Sequence, residues 1–303
     1  MKRLPPRSRS LLGLPACLGL LAAGCAAGSG AVQPAAPTCA VLNRLELHAH
    51  RGSDDRPENM VSAFQRAVDR GADMVELDLQ VSRDDHLIVA HDAFMRADCR
   101  DPQGRALAGR VFIRDLTAAQ AQAFDCGARP GAAERVATLP EVFRALGGRV
   151  TARGRPVGLN IELKYDPASP QRYPGRERYA ALVLQAVRAS AWDASRILLQ
   201  SFDIGLLEAL RAQGAAYRLS PLLSDAGDGI ATARRLRTDT VTPHHGQVTP
   251  EMLAAYRQAG LRVIPWTVND VAEAQRLIDL GVDGLITDRL DFFPLARHAC
   301  RQG

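Results

Sequence analysis

Two histidines, two closely spaced carboxylates and a basic turn lie between residues 50 and 92, as His50-Arg51-Gly52, Pro57-Glu58-Asn59, Glu76-Leu77-Asp78 and His91-Asp92. Glu76 and Asp78 sit inside the apolar run from Met74 to Leu79, which reads as a strand. Residues i and i+2 of a strand project from the same face. Two carboxylates held side by side repel unless a cation or a proton sits between them. A metal site is the economical reading. His50 and His91 then supply an acid and a base, a task that suits imidazole because it titrates near neutral pH.

Such groups need a scaffold to bring them together. Strand-like runs fall at 44–49, 74–79, 87–91, 158–164, 197–201, 217–223, 240–243, 261–267 and 284–287. Helical stripes fall at 60–70, 117–124, 139–146, 177–190, 204–213, 229–237, 250–259, 270–280 and 291–298, as with Ala63, Phe64, Ala67 and Val68 in the first. Gly71, Gly214, Gly260 and Gly281 follow four of these helices, where a left-handed stop is expected. Alternation of this kind predicts a parallel α/β fold, a TIM-type (β/α)8 barrel before a doubly wound sheet. Nine strands are one too many for it. The link from Gln80 to His86 has room for no crossover helix, so it is either a hairpin or an irregular barrel segment. Residues 92–138, rich in Arg, Gly, Asp and Ala, read as an insertion of the kind that shapes binding sites. His50, Glu76, Asp78, His91, Glu162 and Trp266 all fall near the C-terminal ends of strands, where barrel active sites form. Glu162 and Lys164 are two apart and share a face.

Composition narrows the setting. The chain of 303 residues is 47% hydrophobic, as expected of a globular protein. The net charge of +5 owes most to Lys2, Arg3, Arg7 and Arg9, which a cleaved leader would remove. A near-neutral remainder gives no electrostatic case for nucleic acid. Residues 1–24 read as a signal peptide, a basic start followed by an apolar run too short to span a bilayer. The ending Leu21-Ala22-Ala23-Gly24-Cys25 resembles a bacterial lipoprotein box, with Cys25 as the acylated first mature residue. A plain secretory signal is the alternative. Residues 25–40 then form a flexible tether and 41–303 the catalytic domain, exported and held in the periplasm or cell envelope by its lipid anchor alone. Lys and Arg number 38 together, yet only Lys2 and Lys164 are lysines, so Lys164 is a candidate for a position that needs an ammonium.

Four cysteines remain beyond Cys17 and Cys25, and an even number in an exported chain suggests two disulfides from three pairings. Cys99 and Cys126 both lie in the insertion, and a bridge there would contribute about 3 kcal/mol in the chain-entropy model. Cys39 precedes the first strand and Cys300 ends the last helix, two points that a barrel places on its N-terminal side. These considerations favour Cys99–Cys126 and Cys39–Cys300. No Cys/His spacing supports zinc.

The same motifs, together with Gly71-Ala72-Asp73, Thr138-Leu139-Pro140-Glu141, Ile161-Glu162-Leu163-Lys164, Ser201-Phe202-Asp203, Pro265-Trp266-Thr267-Val268-Asn269 and Gly281-Val282-Asp283-Gly284, resemble the glycerophosphodiester phosphodiesterase family across nearly the whole mature chain. The resemblance implies a TIM barrel, one divalent cation and hydrolysis of glycerophosphodiesters to glycerol 3-phosphate and an alcohol. It implies Glu76, Asp78 and Glu162 as metal ligands. An all-oxygen set favours Ca2+, with Mg2+ the second choice. It implies His50 and His91 as acid and base, Arg51 and Lys164 against the phosphoryl oxygens, and Trp266 as a wall of the substrate site. Attack by a substrate hydroxyl through a cyclic phosphate and direct attack by water both stay open.

Two departures stand out. Met60 follows Asn59 where the family usually has Thr, so Asn59 itself is expected to cap the next helix. Asp85 stands where a glycine is usual and is expected to adopt a left-handed turn at local cost. Glu58 is read as orienting the first loop and His48 as packing, and neither His244 with His245 nor His86 or His298 carries a signal. The rivals are a phosphodiesterase acting on a lysophospholipid or phosphoinositide, and a non-catalytic surface-binding lipoprotein.

Overall fold

A computed structural model describes residues 43–127, 133–152, 154–225 and 228–292. Strands β1 (Glu46–Ala49), β2 (Met74–Val81), β3 (Leu87–Val89), β4 (Gly158–Leu163), β5 (Ile197–Ser201), β6 (Arg218–Leu223), β7 (Thr240–Pro243), β8 (Arg262–Val263) and β9 (Gly284–Thr287) form one sheet. Eight of them run in the order β8-β7-β6-β5-β4-β2-β1-β9, every pairing parallel. The ends of this order approach each other, because Asp283 N donates to Val263 O at 2.9 Å and Ile286 N to Pro265 O at 2.9 Å. The result is a TIM-like barrel. Its helices are α1 (Val61–Asp69), α2 (Ala118–Ala121), α3 (Leu139–Leu146), α4 (Arg176–Ala189), α5 (Ile204–Ala212), α6 (Gly229–Leu236), α7 (Pro250–Gln258) and α8 (Val271–Leu280). None of the described helices is long and apolar enough to cross a membrane.

The surplus strand is β3. It pairs antiparallel with β2, Leu79 opposite Val89 and Val81 opposite Leu87, so the link from Asp78 to His91 is a hairpin off the barrel. Asp85 turns it with φ 62° and holds Arg114 and Arg178 at 2.9 and 3.0 Å. The run 261–267 is a strand only at Arg262–Val263; Pro265 offers no N–H to a ladder, and the segment continues by the single bridge of Trp266 to His244. Beyond Phe292 the candidate helix 291–298 lies outside the described residues, as do Cys25, Cys39 and Cys300.

Alternation along β2 explains what the barrel contains. Val75, Leu77, Leu79 and Val81 point outward to the helical layer and belong to the main apolar core. Met74, Glu76 and Asp78 point into the lumen, where Met74, Leu198, Ile264 and Ile286 form a small apolar group under Trp266. The lumen is otherwise polar: His48, Glu76, Asp78, Asn160, Glu162 and Gln200 are all buried there.

Residues of the insertion pack Met95, Cys99, Ile113, Phe124, Cys126 and Val136 against Met60, Ala63 and Ile88, a second core beside β3 and α1. A disulfide joins Cys99 to Cys126, with Cα atoms 4.2 Å apart. Glu134, also from the insertion, accepts from Ser62 N at 2.9 Å in the first turn of α1. That corrects the expectation for Asn59. Met60 is the residue that precedes α1, with no side-chain cap, and the insertion supplies an anion there instead.

Candidate active site

The turn after β1 shows why the His-Arg-Gly triplet is needed. Arg51 adopts φ 54°, and its backbone N–H donates to Glu76 Oε2 at 2.8 Å. Gly52 follows with φ 98°, where an added Cβ would lie 2.7 Å from the Ala63 Cβ of α1. The turn thus passes against α1 while aiming the Arg51 guanidinium inward, Nε 3.4 Å from Asp78 and Nη1 3.0 Å from Glu58. Glu58 orients this arginine.

Glu76, Asp78 and Glu162 each bring an oxygen within 4.8 Å of the other two. Register does this: Asp78 of β2 lies opposite Glu162 of β4, and Glu76 is one inward-facing position earlier. Burial, then the charge of Asp78, pushes the pKa values of Glu76 and Glu162 up. Burial raises that of Asp78 too, but the charges of Lys164, His91 and Arg51 and the Asn59 hydrogen bond outweigh it and leave it lowered. Asp78 Oδ1 is buried and accepts no hydrogen bond. Three converging buried carboxylates, one oxygen of which accepts no hydrogen bond, fit a hard divalent cation, which accepts oxygen ligands and would hold all three ionised. The triad can therefore bind a metal ion.

Lys164 directly follows β4, with Nζ 2.7 Å from Glu162 Oε1 and 3.4 Å from Asp78 Oδ1. Burial lowers its pKa, but the charges of Asp78 and Glu162 win and it stays an ammonium.

Each histidine is held by a carboxylate. His50 Nδ1 lies 2.7 Å from Asp288 Oδ1, and His91 Nδ1 lies 2.9 Å from Asp92 Oδ1. With Nδ1–H donated, each ring is left with Nε2 to exchange a proton. Burial pulls the His50 pKa down, yet the Asp288 hydrogen bond and the Glu76 charge leave it raised. Burial dominates at His91, which is lowered despite Asp78.

His50, Arg51, Glu76, His91, Glu162, Lys164 and Trp266 all line one pocket at the C-terminal mouth. Trp266 Nε1 donates to Thr242 O at 2.9 Å, and its ring meets Phe202 edge-on at 5.1 Å. His244 packs against Trp266 and His245 pairs with Glu273 at 2.9 Å, both outside this pocket's lining. His48 is fully buried below, beside Glu46.

Four contributors escape the sequence reading. Asn59, at φ 59°, donates from Nδ2 to Asp78 Oδ2 at 2.8 Å and accepts from Asp78 N at 3.1 Å. Gln200 reaches Glu76 Oε1 at 3.4 Å. Phe202 lines the pocket, and Asp288 anchors His50. Asn59 and Phe202 stand within quoted motifs; Asp288 follows the end of β9, a strand-end position whose polarity was its one signal.

A parallel barrel with a carboxylate triad able to hold a metal ion, two tethered histidines and two cationic side chains at the mouth is the arrangement of a TIM-barrel enzyme with a site suited to an anionic phosphodiester. The model of the glycerophosphoryl diester phosphodiesterase family matches residues 50–292, and the chain belongs to that family, as a phosphoric diester hydrolase. It is 31% identical over 246 residues to the glycerophosphodiester phosphodiesterase of Caldanaerobacter subterraneus subsp. tengcongensis, covering 79% of this chain and 92% of that relative. A solved structure from Silicibacter pomeroyi is similar with a TM-score of 0.73 and 26% identity, covering 84% and 92% of the two chains. An Oleispira antarctica phosphodiesterase is similar in fold with a TM-score of 0.70 at 21% identity, covering 87% of this chain and 99% of its own.

Proposed function

We propose that this protein hydrolyses glycerophosphodiesters to glycerol 3-phosphate and an alcohol, using His50 and His91 as acid and base beside one divalent cation, Ca2+ by preference. One observation carries the reading: two carboxylate-tethered imidazoles open on the same pocket as Glu76 and Glu162, with Asp78 of the same triad buried just beneath them. The Oleispira protein, similar in fold, was solved with sn-glycerol-3-phosphate as its product.

Glu76, Asp78 and Glu162 would hold the cation, which as a Lewis acid would polarise the phosphoryl oxygen. The chain's own residues do the rest. One histidine takes the proton of the attacking group through Nε2 as the new P–O bond forms. The other gives a proton to the departing alkoxide as the old bond breaks, so no charged leaving group is released. If the attacking group is water, glycerol 3-phosphate results directly; if it is a glycerol hydroxyl, water must then open the cyclic phosphate with the histidine roles exchanged. Asp288 and Asp92 keep both rings in the tautomer this exchange requires. Lys164 and Arg51 supply fixed positive charge where the phosphoryl oxygens gain negative charge. Phe202 and Trp266 form an apolar wall that excludes water on one side.

The test is purified protein with glycerophosphocholine, with and without EDTA. Release of glycerol 3-phosphate that EDTA abolishes and Ca2+ restores is expected; none with Ca2+, Mg2+ or Mn2+ overturns the reading. For location we propose export and anchoring through acylated Cys25, supported by the basic, apolar and small-residue order of residues 1–25. An unchanged mass after Cys25→Ser would refute the anchor.

A further inference from the structure

Arg96 lies in the insertion and belongs to neither the triad nor the histidine pairs, yet each of its three guanidinium nitrogens donates a hydrogen bond. Nε donates to Asp98 Oδ1 at 2.5 Å, Nη1 to the carbonyl of Glu58 at 3.1 Å and Nη2 to the carbonyl of Cys126 at 2.6 Å. Cys126 is one half of the disulfide. The other half, Cys99, donates its backbone N–H to Arg96 O at 3.0 Å. A closed ring therefore runs from Arg96 through Cys99, across the disulfide to Cys126 and back to the guanidinium. A planar fork held on a ring that contains a disulfide and is closed by its own hydrogen bond is a restrained donor.

What that donor grips is one peptide group. The carbonyl of the Glu58–Asn59 peptide accepts from Arg96, and its N–H donates to Arg51 O at 2.9 Å. Clamping both ends sets the peptide plane, and the plane sets the left-handed backbone of Asn59 at φ 59°, a conformation costly to hold unsupported. In that conformation the Asn59 amide makes both of its bonds to Asp78. The Glu58 side chain, one residue earlier, holds Arg51.

We propose that Arg96 is a positioning residue: with the Cys99–Cys126 disulfide it clamps the Glu58–Asn59 peptide and so holds Asp78 ready for the cation. The inference rests on the reading of the triad as a metal site. Groups that orient metal ligands from outside the ligand shell are worth about 10–100-fold in metal affinity, and an expectation of that size follows here. A lysine ammonium carries its three donors on one nitrogen and lacks the planar spread with which the guanidinium reaches Asp98, Glu58 O and Cys126 O.

Isothermal titration of the purified chain with Ca2+, and in parallel with Mg2+ and Mn2+, tests this without recourse to activity. Arg96→Met should weaken the binding of the preferred ion by about 10–100-fold, with Arg96→Lys between it and the wild type. Dithiothreitol reduction of the native protein should weaken binding in the same sense. Asn59→Ala should weaken it too, and Arg96→Met added to Asn59→Ala should cost less than about 2-fold more, because both act through one bond pair. Circular dichroism separates these effects from unfolding, and Arg105→Ala, an exposed arginine of the same insertion, is the control. Unchanged affinity in Arg96→Met, or effects that multiply in the double variant, would overturn the proposal while leaving the metal site intact. A wild type that binds none of the ions overturns both.

Discussion

Replacing Asp288 by Asn exchanges one carboxylate oxygen for an amide NH2 and should disable His50. In the native site Asp288 Oδ1 accepts from His50 Nδ1, and Oδ2 accepts from Asn269 Nδ2. Asn269 thereby dictates how an asparagine at 288 must sit, since its own Nδ2–H has to meet an oxygen. The new amide NH2 then faces His50 and forces Nδ1 to accept, so the ring proton moves to Nε2. A neutral ring with Nε2 protonated cannot act as base, and its cationic form is left with one donor facing another. One positioned imidazole contributes about 10^2–10^4-fold to turnover. The Asp288 side chain is 42% exposed, so water offsets part of the loss. We therefore expect kcat/KM to fall about 100-fold, or ~2.7 kcal/mol of transition-state stabilisation. Losing the carboxylate also removes the main influence that raises the His50 pKa, so the limb of the pH profile it controls moves to lower pH. The assay is coupled detection of glycerol 3-phosphate released from glycerophosphocholine, pH 5 to 9. Asn269→Ala in the same background frees the amide to turn and should recover part of the rate. A loss under about 3-fold, or a further full loss when His50→Ala is added, would refute this reasoning.

Other outcomes follow from the same geometry. His91→Ala should cost at least about 100-fold in turnover, and single-turnover assays retaining near-native rates would remove it from the acid–base pair. Glu162→Gln should shift the Ca2+ activation curve to higher concentration, because a neutral amide replaces one of three converging charges; an unshifted curve would exclude it as a ligand. Tyr179→Phe should lower stability by about 1 kcal/mol in urea, since the buried Tyr179 hydroxyl donates to Leu79 O at 2.6 Å and Lys164 N still donates to that carbonyl. His48 sets a pH dependence. Burial, above all, lowers its pKa from 6.5 against the pull of Glu46, so below pH 6.5 the unfolded chain takes a proton that the folded one refuses. Its contribution to stability is intact above that pH and is lost progressively below it. Urea titrations of wild type and His48→Gln at pH 7.5 and 5.5 should show the smaller acid loss in the variant; equal losses would contradict this.

Much of the site was legible because strand periodicity is local. Glu76, Asp78, Glu162 and Lys164 are placed on one face by a two-residue repeat, and the barrel only had to bring β2 and β4 side by side. Arg51 needed a left-handed turn, and the glycine that follows it announced one. Asn59 misled because its residue type suits a helix cap as well as a left-handed link, and only the position of Asp78 across the loop chooses between them. Asp288 offered little beyond its polar strand-end position: it meets His50 across the pairing of β9 with β1, a contact between segments 238 residues apart. The hairpin between Asp78 and His91 likewise awaited the sheet, because a short link fits a hairpin and an irregular strand equally well until the neighbours of β2 are known.

Residue types and short spacings by themselves determined which groups converge at the candidate site, and the alternation of strands and helices determined the kind of scaffold. The tertiary structure alone decided that Asp288 holds His50, that Asn59 serves Asp78 and not a helix, and that a disulfide-closed insertion reaches the Glu58–Asn59 peptide beside Asp78 through Arg96. The physical reason is range. Periodicity and backbone preference act over a few residues, whereas hydrogen bonds across a loop or a barrel seam depend on where distant segments come to rest.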